Sequence, residues 1–380
     1  MINFYLDINQ FQISLGGKTI TLLPKEFALF QFLYNHPNQG FSREALLNAV
    51  WPHEDPTDRT VDDHIYRLRK KLKCWRDYLD IETIRGLGYR LFVVEQNGVI
   101  LPSIKDIEFN DQFKKIFSKY HLFGQGEAMQ ALADQQKILG VKLDPFYTMY
   151  MELIKGNWKI LLDETIPFWD RAYFMIILYG LLEDDPVIGI KMIQKFLQKN
   201  ELELSRKWEL QALDLVFFFI WNRQFDRACV QVEWALKMVS KHQIENYHLS
   251  ILTNQVFVLL ASSLGDAEEK LNEIETLLME KPYLRESSYF EIAKGIYHMK
   301  KNEKEAGKYC IHKGMQIMKT TKFELQFFHA VTHVCHLLKQ QVRENDELLI
   351  YYQKLRIDIM RKLNGEQLKN SLKKQLISFL

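Results

Sequence analysis

The residues best suited to chemistry lie in one run, Asp58-Arg-Thr-Val-Asp-Asp-His-Ile-Tyr-Arg-Leu-Arg-Lys-Lys-Leu72. Thr60, His64, Arg67 and Lys71 recur at helical spacing, flanked by Arg69 and Lys70. Such donors in one stripe suit a surface that meets phosphates and base edges. Covalent chemistry is not expected. The chain has no phosphate-binding glycine loop, no Gly-x-Ser-x-Gly and no His-Glu-x-x-His, and no nucleophile, base and oxyanion donors assemble, so neither an enzyme nor a cofactor is predicted.

The elements that must position this stripe can be read around it. Val61, Ile65, Leu68 and Leu72 form an apolar stripe on the same run, which predicts an amphipathic helix with a cationic outer face. Thr60 and Asp63 read as its capping box. Most basic helix faces are simply solvated, but here Ile81-Glu-Thr-Ile-Arg-Gly-Leu-Gly-Tyr-Arg-Leu-Phe-Val-Val94 follows. That segment predicts a hairpin whose glycines permit a tight turn and leave Arg85 at the tip. Upstream, Phe4–Ile8, Phe11–Leu15 and Lys18–Leu22 read as strands of a small antiparallel sheet. Pro24 opens a helix that stops at His36-Pro37, and Ser42 caps a second helix from Arg43 to Trp51. Three helices between a sheet and a hairpin is the order of a winged helix.

Composition sets the frame. With 380 residues, 47% hydrophobic and 26% charged, the chain has room for two or three globular domains. No apolar run reaches the roughly twenty residues of a membrane helix, and the start carries no secretion signal, so a cytoplasmic protein without membrane partners is expected. Cys74, Cys229, Cys310 and Cys335 are dispersed, which argues against a disulfide framework or a thiolate metal site. Residues 1–95 hold 12 Lys+Arg against 12 Asp+Glu, yet Arg59 to Arg90 contain nine basic residues against five acidic. A local basic patch on a neutral domain is the footprint of nucleic-acid binding.

The first ninety or so residues resemble the DNA-binding domain of OmpR/PhoB-family response regulators. The matching residues, in order, are Leu23-Pro-Lys-Glu-Phe-Ala-Leu-Phe-Gln-Phe-Leu33, His36-Pro37, Ser42-Arg-Glu-Ala-Leu-Leu47, Val50-Trp51, Asp58-Arg-Thr-Val-Asp62, His64-Ile65, Arg67-Leu-Arg-Lys-Lys-Leu72 and Arg85-Gly-Leu-Gly-Tyr-Arg90. The resemblance implies that the basic helix enters the major groove of duplex DNA. Arg67 would read bases, Asp63, Tyr66 and Arg69 would tune the sequence chosen, and Arg59, Thr60, His64, Lys71 and Thr83 would hold phosphates, with Arg85 in the minor groove. Asp62 is expected to stabilise the helix start. In the family, the loop matching Pro52–Thr57 often contacts RNA polymerase; a plain surface turn fixed by two prolines is the other reading. The family's receiver domain does not precede this module in the sequence, so control is expected from the part that follows.

That part reads as helical. After a linker at 97–105, apolar residues recur at three and four through 106–380, which predicts twelve to fourteen helices. Gly189, Ala228, Ala267 and Ala306 each open a helix and stand 39 residues apart, as in stacked helix hairpins. The pattern loosely resembles tetratricopeptide repeats. Lined up at this period, Phe218, Phe257, Ile296 and Cys335 form an apolar column, and Glu209, His248, Ser287 and Gln326 a polar one continued by Gln255, Lys294 and His333. Polar columns line either a concave binding groove or the solvated back. The groove reading makes Glu209, His248, Gln255, Lys294, Gln326 and His333 candidate ligand contacts. His329, His333 and His336 can be spaced for a metal, but partly buried structural histidines are the expectation, with no metal site. Leu368, Leu372, Leu376 and Phe379 form an apolar stripe that either caps the array or makes a dimer seam.

The fold expected is therefore multidomain: an α+β winged helix at 1–96, then an all-α tetratricopeptide-like solenoid at 106–380 for sensing and oligomerisation. In domain order it resembles SARP-type regulators, and in repeat character peptide-pheromone receptors of the Rap/NprR/PlcR group. The function expected is a bacterial transcription regulator that binds duplex DNA as a homodimer under control of a signalling peptide, as in quorum sensing, or a protein partner. The alternative is a constitutive regulator whose repeats dock RNA polymerase or another protein without a small ligand.

Overall fold

The computed structural model describes residues 4–8, 10–15, 18–52, 57–76, 78–84, 87–93, 102–141, 143, 145–242 and 245–380. The chain divides into two compact units, Met1–Pro102 and Ser103–Leu380.

In the first unit, β1 (Tyr5–Asp7), β2 (Gln12–Leu15) and β3 (Lys18–Thr21) form an antiparallel sheet in sequence order. Leu6 faces Ile13, and Ile13 faces Ile20, so one register serves all three strands. Pro24 begins α1 (Pro24–Asn35), where its missing N–H costs nothing. The strand β4 (Gly40–Ser42) then runs into α2 (Arg43–Val50), whose cap is the Ser42 hydroxyl accepting from the Ala45 N–H at 3.1 Å. After α3 (Asp58–Leu72) and a 3-10 turn, Lys73–Trp75, come β5 (Leu79–Ile84) and β6 (Gly88–Val93). The second sheet has the order β4-β6-β5. A Cβ on Gly88 would stand 2.2 Å from the Phe41 carbonyl oxygen, so only glycine lets β6 approach β4 this closely.

Two expectations change here. The helix α3 starts at Asp58 after an extended Thr57 (φ −89°, ψ 162°). Thr60 therefore sits inside the first turn, its N–H bonded to the Thr57 carbonyl, and the Thr60–Asp63 capping box does not form. The wing sheet also gains a third strand, β4, too short to register as an alternating run.

The second unit is helical. Its early helices are α4 (Pro102–Lys105), α5 (Ile107–Phe123), α6 (Gly126–Asp134), α7 (Gln136–Leu139) and α8 (Pro145–Ile154). Hairpins follow: α9 (Phe168–Leu182) with α10 (Pro186–Leu197), and α11 (Leu204–Glu209) with α12 (Leu215–Trp221) against α13 (Phe225–His242). The next pairs are α14 (His248–Ser262) with α15 (Leu264–Glu280), α16 (Leu284–Lys300) with α17 (Lys304–Thr320), and α18 (Glu324–Gln341) with α19 (Glu347–Lys362). Last comes α20 (Gly365–Ile377). A π-helical turn, Leu210–Asp214, joins α11 to α12. The four residues at the end of the expected linker, 102–105, are helical. Sixteen α-helices follow position 106 among the described residues, more than expected, because α7 is a single turn and the π turn divides one rod into α11 and α12.

The first helices of the hairpins pack on one another, α12 on α14, α14 on α16 and α16 on α18, while α18 also touches α8, α9 and α12. The apolar column Phe218, Phe257, Ile296 and Cys335 is buried throughout. The 39-residue period, however, slips once. Gly189, Ala228 and Ala267 are each the fourth residue of their helix and buried, but Ala306 is exposed and its place is taken by Gly307. A Cβ on Gly307 would meet the Gly295 carbonyl oxygen at 2.9 Å. Phe218 is likewise fitted between Gly180 and Gly189, where added Cβ atoms would lie 2.5 and 2.3 Å from its ring. The stripe Leu368, Leu372 and Leu376 is buried, α20 packs on α9, and Phe379 stacks on Phe168 at 3.7 Å. The tail thus covers its own array, and the stripe is not free for a dimer seam.

Candidate nucleic-acid interface

The inward face of α3 is Val61, Ile65, Leu68 and Leu72, all buried. Its remaining polar residues fall into two groups. The first is bound to the domain itself. The Asp62 Oδ1 accepts from Arg43 Nε at 2.8 Å and from the Tyr89 hydroxyl at 2.7 Å. Burial raises the Asp62 carboxyl, but the Tyr89 and Arg43 bonds outweigh it and hold the pKa below its ordinary value. Arg69 donates from Nε to the Ile81 carbonyl at 2.7 Å and from Nη2 to Thr83 Oγ1 at 2.8 Å, clasping α3 to the wing strand β5. Lys71 Nζ reaches Glu26 Oε2 at 2.7 Å. Glu26 is fully buried and also accepts from the Leu23 N–H at 2.9 Å. Burial raises its carboxyl, and the Lys71 and Leu23 bonds more than reverse this. His64 is half-buried, with Nδ1 2.8 Å from the Thr60 carbonyl, which fixes a proton on that nitrogen, and its ring lies against Trp51.

The second group is left over. Arg59, Asp63, Tyr66, Arg67 and Lys70 are exposed, and no hydrogen bond or ion pair engages their side chains among the described residues. Tyr66 is 69% exposed, high for an aromatic residue, and so offers a flat apolar surface to solvent. Arg59, Asp63, Tyr66 and Lys70 project from the side of α3 opposite its core, Thr60, His64 and Lys71 lie on one shoulder with Arg67 between them and the outer side, and Arg69 lies on the other shoulder. Thr83 is exposed on β5 beside Arg69. Arg85 and the loop residues 53–56 lie outside the described residues.

In the helical unit the polar candidates do not form one surface. Glu209 accepts from Arg206 Nη1 at 2.7 Å and from the Tyr247 hydroxyl at 2.5 Å. Gln326 hydrogen-bonds the Tyr150 side chain, on which Glu209 also acts electrostatically. His248 is half-buried at the start of α14, and the Oε1 of Gln255 is buried without a partner among the described residues. Lys294 turns towards α15, bonding Glu275 at 3.1 Å. His333 is buried, its Nδ1 accepting from Trp221 Nε1 at 2.7 Å. Burial depresses its pKa well below the usual value, and the neighbouring His329 and His336 add to this. Among the described residues no group of three or more His, Cys, Asp and Glu could hold a metal, and the four cysteines are free thiols.

Sequence reasoning passed over the residues that surround Glu209. The Arg206 guanidinium lies 5.1 Å from the ring centroids of Phe146 and Tyr173. The Tyr173 hydroxyl donates to Asp214 Oδ2 at 3.1 Å, and burial, reinforced by the Glu209 charge, pushes the Asp214 carboxyl up to about 7. His121 Nε2 lies 2.7 Å from the Tyr150 hydroxyl, and Arg285 donates to the His121 carbonyl at 3.0 Å. The one available cue was Arg206 standing three residues before Glu209.

Two sheets, three helices and a helix pinned to a wing strand define a winged helix. Residues 17–91 match the family model described as "Transcriptional regulatory protein, C terminal". The Heme response regulator HssR of Staphylococcus aureus (strain bovine RF122 / ET3-1) is 40% identical over 90 residues, 23% of this chain and 40% of that relative. The N-terminal unit is therefore an OmpR/PhoB-type winged-helix DNA-binding domain. The chain spans 40% of the length of the curated relative it matches. Two solved structures are also similar. The DNA-binding domain of Bacillus subtilis CssR is 36% identical, covering 24% of this chain and 100% of that one, with TM-score 0.21. The response regulator AdeR DNA-binding domain, in complex with an intercistronic region, is 29% identical, covering 24% and 96%, with TM-score 0.22. Among the described residues no helix is long and apolar enough to cross a membrane.

Proposed function

We propose that the whole chain is a bacterial transcription regulator in which α3 enters the major groove of duplex DNA. The observation that carries this reading is the division of labour on α3: Arg59, Asp63, Tyr66, Arg67 and Lys70 are exposed and make no side-chain hydrogen bond or ion pair among the described residues, on a helix whose Asp62, His64, Arg69 and Lys71 are fastened to the domain. A rigid rod with free donors on its outer side is what base readout requires. Arg67 reads bases, Asp63 and Tyr66 tune the choice, and Arg59 and Lys70 meet phosphates. Thr60, His64 and Thr83 sit at the margins for further phosphate contacts, and Arg85 on the wing reaches the minor groove. Arg69 and Lys71 act mainly by holding α3 in place. The test is a binding assay on a randomised duplex library with wild type and Arg67→Ala. The proposal expects one enriched motif, relaxed in the variant; no enrichment by the wild type would refute it.

In the same proposal the helical unit is a tetratricopeptide-like array that governs the winged helix by binding a short signalling peptide or a protein partner and by pairing two chains. The recurring fourth-position small residue of α10, α13, α15 and α17 supports the array, and the half-buried Glu209 and Gln326 support a polar lining. Sedimentation of the full chain with and without operator DNA tests the pairing, and a single-chain complex would count against it.

A further inference from the structure

A groove of about 1010 Å³ opens between α18, α19 and α20. Its lining belongs wholly to the second unit and draws on neither Glu209 nor Gln326. Ligand sites of metabolite size occupy roughly 300–1,000 Å³ and combine apolar walls with a few placed polar groups. Here the apolar wall is Ile357 and Met360, and the cations at its edge are Lys339, Arg356 and Arg361.

The charges on this lining are not equally committed. Arg356 is fixed by Asp184 at 2.8 Å and by the Leu181 and Glu183 carbonyls at 3.0 and 3.3 Å. Its Nε is buried yet has no partner among the described residues. Lys339 is exposed and makes no ion pair among the described residues. Glu366, the other lining carboxylate, is paired with Lys369 at 3.1 Å. Arg361 is 75% exposed and pairs with Asp358 at 3.0 Å. Both lining carboxylates are thus answered by cations, and Lys339 leaves one positive charge in excess. Residues Asn364 to Gln367 also line the groove, and the Asn364 side chain does not cap α20. The first N–H groups of α20 have no acceptor within the helix, so they add donors of the same sign.

We propose that this groove binds a small ligand through an oxyanion, a carboxylate or a phosphate, held by Lys339, Arg361 and the first N–H groups of α20, with the rest of the ligand against Ile357 and Met360. The ligand bridges three helices, and so joins the capping helix α20 to the body of the array.

The experiment uses the full chain, titrated separately with sodium phosphate and sodium succinate at constant ionic strength, with the thermal midpoint and equilibrium dialysis as readouts. Saturable binding of one anion per chain is expected. A response to phosphate alone assigns a phosphate ester, and a response to succinate alone a carboxylate. Lys339→Glu and Arg361→Glu each raise the half-saturating concentration about tenfold or more, whereas Arg67→Glu on α3 leaves it unchanged. Both groove substitutions are at solvent-facing positions, so folding is preserved and is checked by circular dichroism. Absence of saturable binding by either anion overturns the proposal. So does binding that survives both groove variants, and binding abolished by Arg67→Glu would place the anion on the DNA-binding surface instead.

Discussion

The two units of this chain treat polar side chains in opposite ways. In the winged helix, Arg43, Arg69 and Lys71 fasten α3 to its surroundings while Arg59, Arg67 and Lys70 are exposed and without a side-chain partner among the described residues. In the helical unit, Arg206, Glu209, Asp214, Tyr173 and Tyr247 bond one another in a half-buried cluster between helices. Outward polarity on a fixed frame suits recognition of a surface. Inward polarity specifies how helices meet, because each buried group is costly unless its partner is in place.

This contrast can be broken by pH, where the largest effect is expected. His329 and His333 are buried, His121 and His336 half-buried, and desolvation depresses all four pKa values, His329 and His336 to about 3. Groups depressed in the folded state contribute stability above their ordinary 6.5 and lose it as pH falls. Asp214, raised to about 7, works the other way and gains as pH falls towards 3.8, but one carboxyl stands against four imidazoles. Glu26 and Asp62 of the winged helix weaken it only below their ordinary 4.5 and 3.8. Hydrogen exchange should therefore show the helical unit losing protection between pH 6.5 and 4.5 while α1 and α3 keep theirs. Equal loss in both units would erase the distinction.

Substitutions sharpen it further. Arg206→Ala leaves Glu209 without its cation in a largely buried site and should destabilise the helical unit by about 3–5 kcal/mol in denaturant titrations. Lys71→Met strands the buried Glu26 and should cost about 2–3 kcal/mol, seen as faster exchange in α1 and α3. Arg67→Ala should lower discrimination between operator and random duplex by about 1–3 kcal/mol, with folding unchanged. Smallest is Lys70→Ala, expected to weaken binding to all sequences alike and flatten the salt dependence by about one unit of slope.

Much of the winged helix was legible because its signals are local. Pro24 and Ser42 mark helix starts, and Val61, Ile65, Leu68 and Leu72 repeat at helical spacing. The outer face was harder. At about 100° per residue, the positions opposite that core are Arg59, Asp63, Tyr66 and Lys70. The stripe through Thr60, His64 and Lys71 lies roughly a quarter-turn to the side, where the helix meets α1 and α2. Which cations would be consumed depended on partners 12 to 45 positions away, as with Arg69 to Ile81 and Lys71 to Glu26. In the helical unit the period exposed the buried column of Phe218, Phe257, Ile296 and Cys335. It missed the shift from Ala306 to Gly307, since both residues are small and only packing tells them apart. The interior around Arg206 was invisible for a related reason: His121 and Tyr150 come from helices before the periodic stretch begins.

The closure of α20 over α9 has a consequence for synthesis. Emerging from the ribosome, the apolar flank of α9 must wait for a segment made nearly two hundred residues later. At about 5–20 residues per second this is on the order of 10–40 s. During that interval Phe168 lacks the ring of Phe379 that later stacks on it. Until α20 is made, the flank of α9 that it covers stays open to solvent.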